Sequence, residues 1–300
     1  MKISRRNLIL SSSSGALLIG SKINQQLNFH KNNHKIIIIN ADGGLDGLHL
    51  LSPINNYFLQ EYRPNIIKSL KEDMKMIDLN YNFGGEDFFL NQNASHISKL
   101  FREKTLSFVH ATGLKEEYKR HSDARSLHDK HLFNLARANI QNIKNKNLSQ
   151  GLNYLYEKLN DNFALQPITL INHPGWDHHN NLPSEYKIKI TELSSKIFSF
   201  WKALKQRQKY VTIIITTEFG RSVKENYSLG CDHGAASVMI ILSHTINGGQ
   251  IYGNWPGLSE DQLSNGGLKI TLDSRQVLSE IIFKIYSKNN YVSKSTKLFI

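Results

Sequence analysis

Four consecutive isoleucines mark the first strongly patterned stretch, Lys35-Ile36-Ile37-Ile38-Ile39-Asn40. A run with no polar face predicts a strand buried on both sides of a parallel sheet. Further short apolar runs at Leu106 to His110, Ile168 to Asn172, Val211 to Thr216 and Ser237 to Leu242 predict four more strands. Between them the period lengthens. In Ile188 to Gln206 the residues Ile190, Leu193, Ile197, Phe198, Trp201 and Leu204 recur at spacings of three and four, the apolar stripe of an amphipathic helix. His96 to Arg102, Ser126 to Ile140, Gly151 to Leu159 and Arg275 to Tyr286 also read as helices, and the polar run Gln141 to Gln150 reads as a loop.

Strands alternating with helices predict an α/β three-layer sandwich with a mostly parallel central sheet. No internal repeat or Pro/Gly-rich linker interrupts the chain, so residues 34–300 read as a single domain. In such sheets ligands bind at the carboxyl ends of the strands. Clusters of Asp, His, Glu and Gly fall at those places here. Asp42 and Asp46 follow the first strand, in a turn with Gly43, Gly44 and Gly47. His110 to Gly113 ends the second, and His121-Ser122-Asp123 lies beyond it. Pro174 to His179 follows the third, Glu218 to Arg221 the fourth, and Cys231 to Gly234 precedes the fifth. Carboxylates mixed with imidazoles suit Zn, Mn, Mg or Ca. Each cluster also has a plain structural reading: Asp42 or Asp46 as turn caps, Glu218 as the partner of Arg221, and the Gly175 to His179 segment as a polar loop.

Residues 1–33 stand apart. Ser4-Arg5-Arg6-Asn7-Leu8-Ile9 matches the twin-arginine export pattern, and a mild apolar region runs from Leu8 to Ile19. That region is too short and polar for a membrane span and suits a signal segment. The expected partner is the twin-arginine translocase, and the expected location is periplasmic or otherwise exported. The formal net charge of +12 allows an anionic small molecule or envelope polymer as partner. The basic residues are scattered, with no arginine-rich arm or zinc-knuckle spacing, so no nucleic acid is expected. Cys231 is the only cysteine and forms no internal disulfide.

As an ordered set, several segments resemble a widespread exported bacterial group, domain-of-unknown-function family 1501. They are Gly43 to Leu48, Tyr62-Arg-Pro64, Val109 to Gly113, Gly175 to His179, Thr217 to Arg221, Asn226 to Gly234, Gly248 to Gly257 and Thr271 to Arg275. The resemblance covers roughly residues 35–287. It implies an alkaline-phosphatase-like and sulfatase-like fold with a divalent metal site at the carboxyl edge of the sheet. Carried onto this chain, it implies Asp42 or Asp46 as the first ligand, then Asp177, His179, Glu218 and His233, with Asp232 beside it. Arg120 stands where relatives often carry Ser next to the histidine matching His121. That leaves Ser122, Thr112 or water as the attacking group, with His121 or Arg221 to stabilise charge on the substrate. The formylglycine sulfatase motif is absent, because Cys231 is followed by Asp-His-Gly-Ala.

The function expected from this is an exported metal-dependent hydrolase of phosphate or sulfate esters. The competing expectation is a non-catalytic exported protein that keeps the fold and binds an envelope polymer or protein partner.

Overall fold

The computed structural model describes residues 27–29, 33–72, 76–115, 121–136, 139–161 and 165–287. The twin-arginine motif, Arg120 and the apolar leader region lie outside these residues. The elements in chain order begin with β1 (Lys35–Asp42), α1 (Gly47–Leu50), β2 (Leu51–Ser52), α2 (Tyr57–Tyr62) and α3 (Pro64–Glu72). Next come β3 (Ile77–Phe83), β4 (Glu86–Leu90), α4 (Ser95–Arg102), β5 (Leu106–Gly113), α5 (His121–Ala136), β6 (Ile140–Ile143) and α6 (Leu148–Asn160). Then follow β7 (Ile168–Pro174), α7 (Leu182–Leu204), β8 (Val211–Thr216), β9 (Ser237–Leu242), β10 (Ile251–Tyr252), β11 (Leu263–Ser264), β12 (Gly267–Leu268), β13 (Leu272–Asp273) and α8 (Ser274–Tyr286).

The principal sheet runs β10-β5-β9-β8-β1-β7-β6, with β13 also paired to β5. β1 is central, parallel to β7 on one side and to β8 on the other. Only β9 runs against its neighbours β5 and β8. That reversal has a direct consequence: the residues just before β9 reach the same sheet edge as the residues just after β1, β5, β7 and β8.

Alternation along β1 builds both halves of the core. Ile37 and Ile39 enter one cluster with α4, α6 and α7, whereas Ile36 and Ile38 enter another with α5 and α8. All four are essentially buried, each stabilising the fold by about 1.5–3 kcal/mol relative to exposure. The result is the mixed, mostly parallel α/β sandwich expected, with helices on both faces.

The structure corrects three expectations. Gln141 to Gln150 is not one loop: Ile140–Ile143 pairs with β7 as the edge strand, and Leu148 opens α6. Asn147 and Gln150 form a capping box there, whose signal is polar and so mimics loop composition. The helix expected from Ser126 to Ile140 begins at His121 and ends at Ala136. Lastly, Leu27 and Phe29, grouped with the leader by sequence, are buried against α8, where the Asn28 N–H donates to the Tyr286 carbonyl.

Candidate metal centre

The carboxyl ends of β1, β7 and β8 meet in a small set of buried backbone contacts. Gly43 adopts φ of 126°, and a Cβ there would lie 2.5 Å from the Asp177 nitrogen, so only glycine lets the two loops touch. Trp176 is wholly buried and its N–H donates to the Asp42 carbonyl at 3.1 Å. These contacts fix Asp42 beside Asp177 although the two are far apart in sequence.

Around them the acidic and imidazole side chains gather into two overlapping groups. Donor atoms of His121, Asp177 and His233 lie within 4.8 Å of one another, and so do those of Asp42, His121 and Glu218. His121, the first residue of α5, belongs to both. Its Nδ1 faces Glu218 Oε1 at 2.8 Å and its Nε2 lies 3.6 Å from Asp177 Oδ2. His179 joins the first group: its Nε2 is 3.1 Å from Asp177 Oδ1 and 3.1 Å from His233 Nε2, and His233 Nε2 is 3.3 Å from the same oxygen. These three separations match the edges of a tetrahedral face about 3.3–3.4 Å on a side, as expected for ligands about 2.0–2.1 Å from zinc. The donor set therefore fits a divalent ion.

The surroundings hold these side chains in place. Glu218 is almost fully buried; its Oε1 accepts from the Gly43 N–H at 2.9 Å and its Oε2 from Thr217 at 3.1 Å. Asp42 accepts from Asn172 at 2.8 Å and from Arg125, which pairs with its other oxygen. The Phe219 ring packs against both His121 and His233. Asp232 contacts His179 Nδ1 at 3.1 Å. A carboxylate there holds the proton on Nδ1 and leaves Nε2 as the lone-pair donor, a common arrangement behind metal-binding histidines. Burial pushes the Asp177 carboxyl up, but the Arg221 hydrogen bond and charge, with His179 and His233, outweigh it and hold it below the usual range. The hydrogen bond from His179 holds Asp232 down as well.

Of the residues expected from sequence, Asp42, His121, Asp177, His179, Glu218 and His233 come together. Asp232 stands behind His179 and supports it. Asp46 does not belong to the cluster: it is buried, pairs with Arg63 at 2.8 Å and caps α1 through the His49 N–H. Turning away from the strand end, it stabilises the glycine-rich loop. Arg221 is not free to meet a substrate. Its buried guanidinium donates to the carbonyls of Gly43, Gly44, Trp176 and Cys231 and to Asp177. Ser122 is exposed, its hydroxyl forms no hydrogen bond among the described residues, and it borders an outer hollow with Ser126 and Lys130. Thr112 is buried within β5, opposite Ser237 and Leu272. Cys231 is buried and its thiol pushed up to about 12 by desolvation, which removes it as a thiolate ligand.

Sequence reasoning missed Arg125 and Asn172. Arg125 lies one helical turn beyond His121, a spacing that places both on one face. Asn172 sits opposite Asn40 in the β1–β7 register and donates to Asp42. Beside them opens a cavity of about 670 Å³, bounded by Glu218, Asn172 and Arg125 on the cluster side.

Residues 165–273 match the model of a family described as protein of unknown function (DUF1501). No curated protein matches the chain. Solved structures with detectable similarity include the PH0037 protein of Pyrococcus horikoshii, at 13% identity and TM-score 0.35, covering 84% of this chain and 96% of that one. A second is the C-terminal periplasmic domain of EcEptC from Escherichia coli in complex with Zn, at 9% identity and TM-score 0.31, covering 72% and 74%. A third is Ps i-CgsB in complex with k-i-k-neocarrahexaose, at 10% identity and TM-score 0.29, covering 73% and 68%.

Proposed function

We propose that this chain is an exported, metal-dependent hydrolase of phosphate or sulfate esters. One observation carries the reading: two ligand groups share His121 at the carboxyl edge of a mostly parallel sheet. Asp177, His233 and His179 would hold one divalent ion, and Asp42 and Glu218 a second, with His121 between the two sets. Bound there, such ions supply Lewis acidity toward an ester oxygen and lower the pKa of a bound water. The protein's own groups divide the remaining work. Asp232 orients His179, Arg221 holds the loops and Asp177 in register, and Arg125 offers a guanidinium to an anionic oxygen next to Asp42. With Ser122 exposed and Thr112 buried in the sheet, water is the attacking group we favour. Export by the twin-arginine route rests on Arg5 and Arg6. No helix among the described residues is long and apolar enough to cross a membrane.

The test is elemental analysis of protein purified from the exported fraction, beside Asp177→Ala and His233→Ala, followed by release of nitrophenol from 4-nitrophenyl phosphate and sulfate. Near-stoichiometric metal lost in both variants, with hydrolysis lost in parallel, is the expected result. A folded wild-type protein that binds no divalent metal would overturn the reading. An arginine-to-lysine change at both Arg5 and Arg6 should leave the chain in the cytoplasm.

A further inference from the structure

The cavity beside the cluster exceeds what an inorganic anion requires and falls within the range of ligand clefts, roughly 300–1,000 Å³. Glu218, Asn172 and Arg125 border both the cavity and the ligand groups, so an ester held at the cluster would have its departing portion here. Beyond them the cavity runs along β7 and β6 toward the start of α6.

Its lining carries three carboxylates, each beside a cation or an imidazole: Glu218 beside His121, Glu192 beside Lys189 and His173, and Asp129 beside Arg125. The stretch from β6 to the start of α6 supplies Asn142, in the strand, and Lys144, Asn145 and Lys146 beyond it, all exposed, and no carboxylate. The side chains of Asn142, Lys144 and Asn145 have no hydrogen-bond or ion-pair partner among the described residues. Amide side chains both donate and accept, which matches hydroxyl groups, while ammonium groups match a fixed negative charge. The N-terminus of α6 adds positive partial charge at the same end. Deeper in, His173 is nearly fully buried; its Nε2 makes no hydrogen bond and lies 3.9 Å from a Glu192 carboxylate oxygen. Among the described residues no Phe, Tyr or Trp lines the cavity, which offers a nucleobase no ring surface from them to stack on.

We propose that this cavity is the leaving-group subsite and that it takes an anionic saccharide, a polyhydroxylated group carrying a negative charge beyond the ester being cleaved. The assignment rests on the hydrolase reading for its orientation, and on the cavity's own lining for its ligand class. Lys144 and Lys146 hold the second charge, and the neighbouring amides read the hydroxyls.

Full-length protein is titrated calorimetrically with a sulfated chondroitin disaccharide, trehalose 6-phosphate, lactose, inorganic sulfate and ADP, with metal content measured on the same samples. Both charged disaccharides should bind about tenfold or more tighter than lactose, inorganic sulfate or ADP. A Lys144→Ala/Lys146→Ala double variant should lose most of that preference. A Lys68→Ala/Lys209→Ala variant, equal in charge change, should keep it. Tight binding of only one of the two disaccharides identifies the anion as sulfate or phosphate within the proposal. Disaccharides that bind no better than lactose or ADP, or a preference untouched by the Lys144/Lys146 change, would overturn it, and metal with ester hydrolysis would then leave the hydrolase reading standing. Conversely, lysine-dependent disaccharide binding by a protein that holds no metal would sink the hydrolase reading and keep the saccharide site.

Discussion

The Nε2 atoms of His179 and His233 face each other at 3.1 Å, although the residues are 54 positions apart. Two imidazole nitrogens that close cannot both carry protons; one must offer its lone pair, or both must share a cation. The Asp232 carboxylate settles His179 by accepting a hydrogen bond from the N–H at Nδ1. Asp232→Ala would remove the oxygen that faces both Asn226 Nδ2 and His179 Nδ1, leaving the His179 proton free to sit on Nε2. Metal affinity should fall about 10–100-fold, measured by competition with a chromophoric chelator, with little change in stability of the metal-free protein.

Asp46 and Arg63 form a buried pair, with Arg63 also donating to the carbonyls of Ser222 and Val223. Burial pushes the Asp46 carboxyl up, but Arg63 overcomes this and holds it ionised. Arg63→Ala leaves that carboxylate without its partner and should cost about 3–5 kcal/mol in urea unfolding. Asp46→Asn should bind metal with unchanged stoichiometry, which separates it from Asp42→Asn.

Arg221→Lys replaces a planar fork that reaches four carbonyls with a single ammonium. The orphaned carbonyls should lower stability by about 2–4 kcal/mol, and Asp177 should lose its tether. Urea unfolding and metal titration on the same samples should move together.

Acid should weaken the fold before carboxylates titrate. Burial holds His34 and His110 at about 4, against 6.5 when unfolded. His110 uses Nδ1 to accept the Ala111 N–H and Nε2 to reach the Leu51 carbonyl, so a proton on Nδ1 breaks a backbone bond. Between pH 6.5 and 4 the unfolded chain binds the extra protons, and stability drops as pH falls through that window. Above 6.5 the contribution is constant. Each histidine should account for about 2 kcal/mol between pH 6.5 and 5. Urea midpoints at pH 7.5 and 5.0 check this, with His110→Gln showing the smaller drop.

The boundary of the leader is testable in the same way. A chain starting at residue 27 should match the longer protein in stability. One starting at residue 34 loses the burial of Leu27 and Phe29 and should be about 3 kcal/mol weaker.

The sheet was legible because its strands are saturated with apolar residues: Ile36 to Ile39 and Ile213 to Ile215 permit no other placement. The edge strand Ile140–Ile143 was not, since an edge needs apolar residues on one side only and its polar neighbours read as loop. Asp42, Asp177, His179, Glu218 and His233 could be found from their positions at strand ends. Choosing Asp42 over Asp46 could not, because the choice depends on which way the turn folds and on Arg63, a partner 17 residues further on. Arg221 looked like a substrate-binding residue for a related reason. Its charge is visible in the sequence, whereas the four carbonyls that occupy it belong to loops that meet only in three dimensions.

The central position of β1 bears on when a metal could enter. The side chains that would hold it arrive from position 42 to position 233, carried by strands that pair only after long crossovers have closed. An unfolded chain therefore offers scattered ligands and no chelate, so metal capture waits on completion of the sheet. A twin-arginine leader delivers proteins already folded. On that reading the metal supply of the cytoplasm, and not that of the destination, decides which ion the protein carries across.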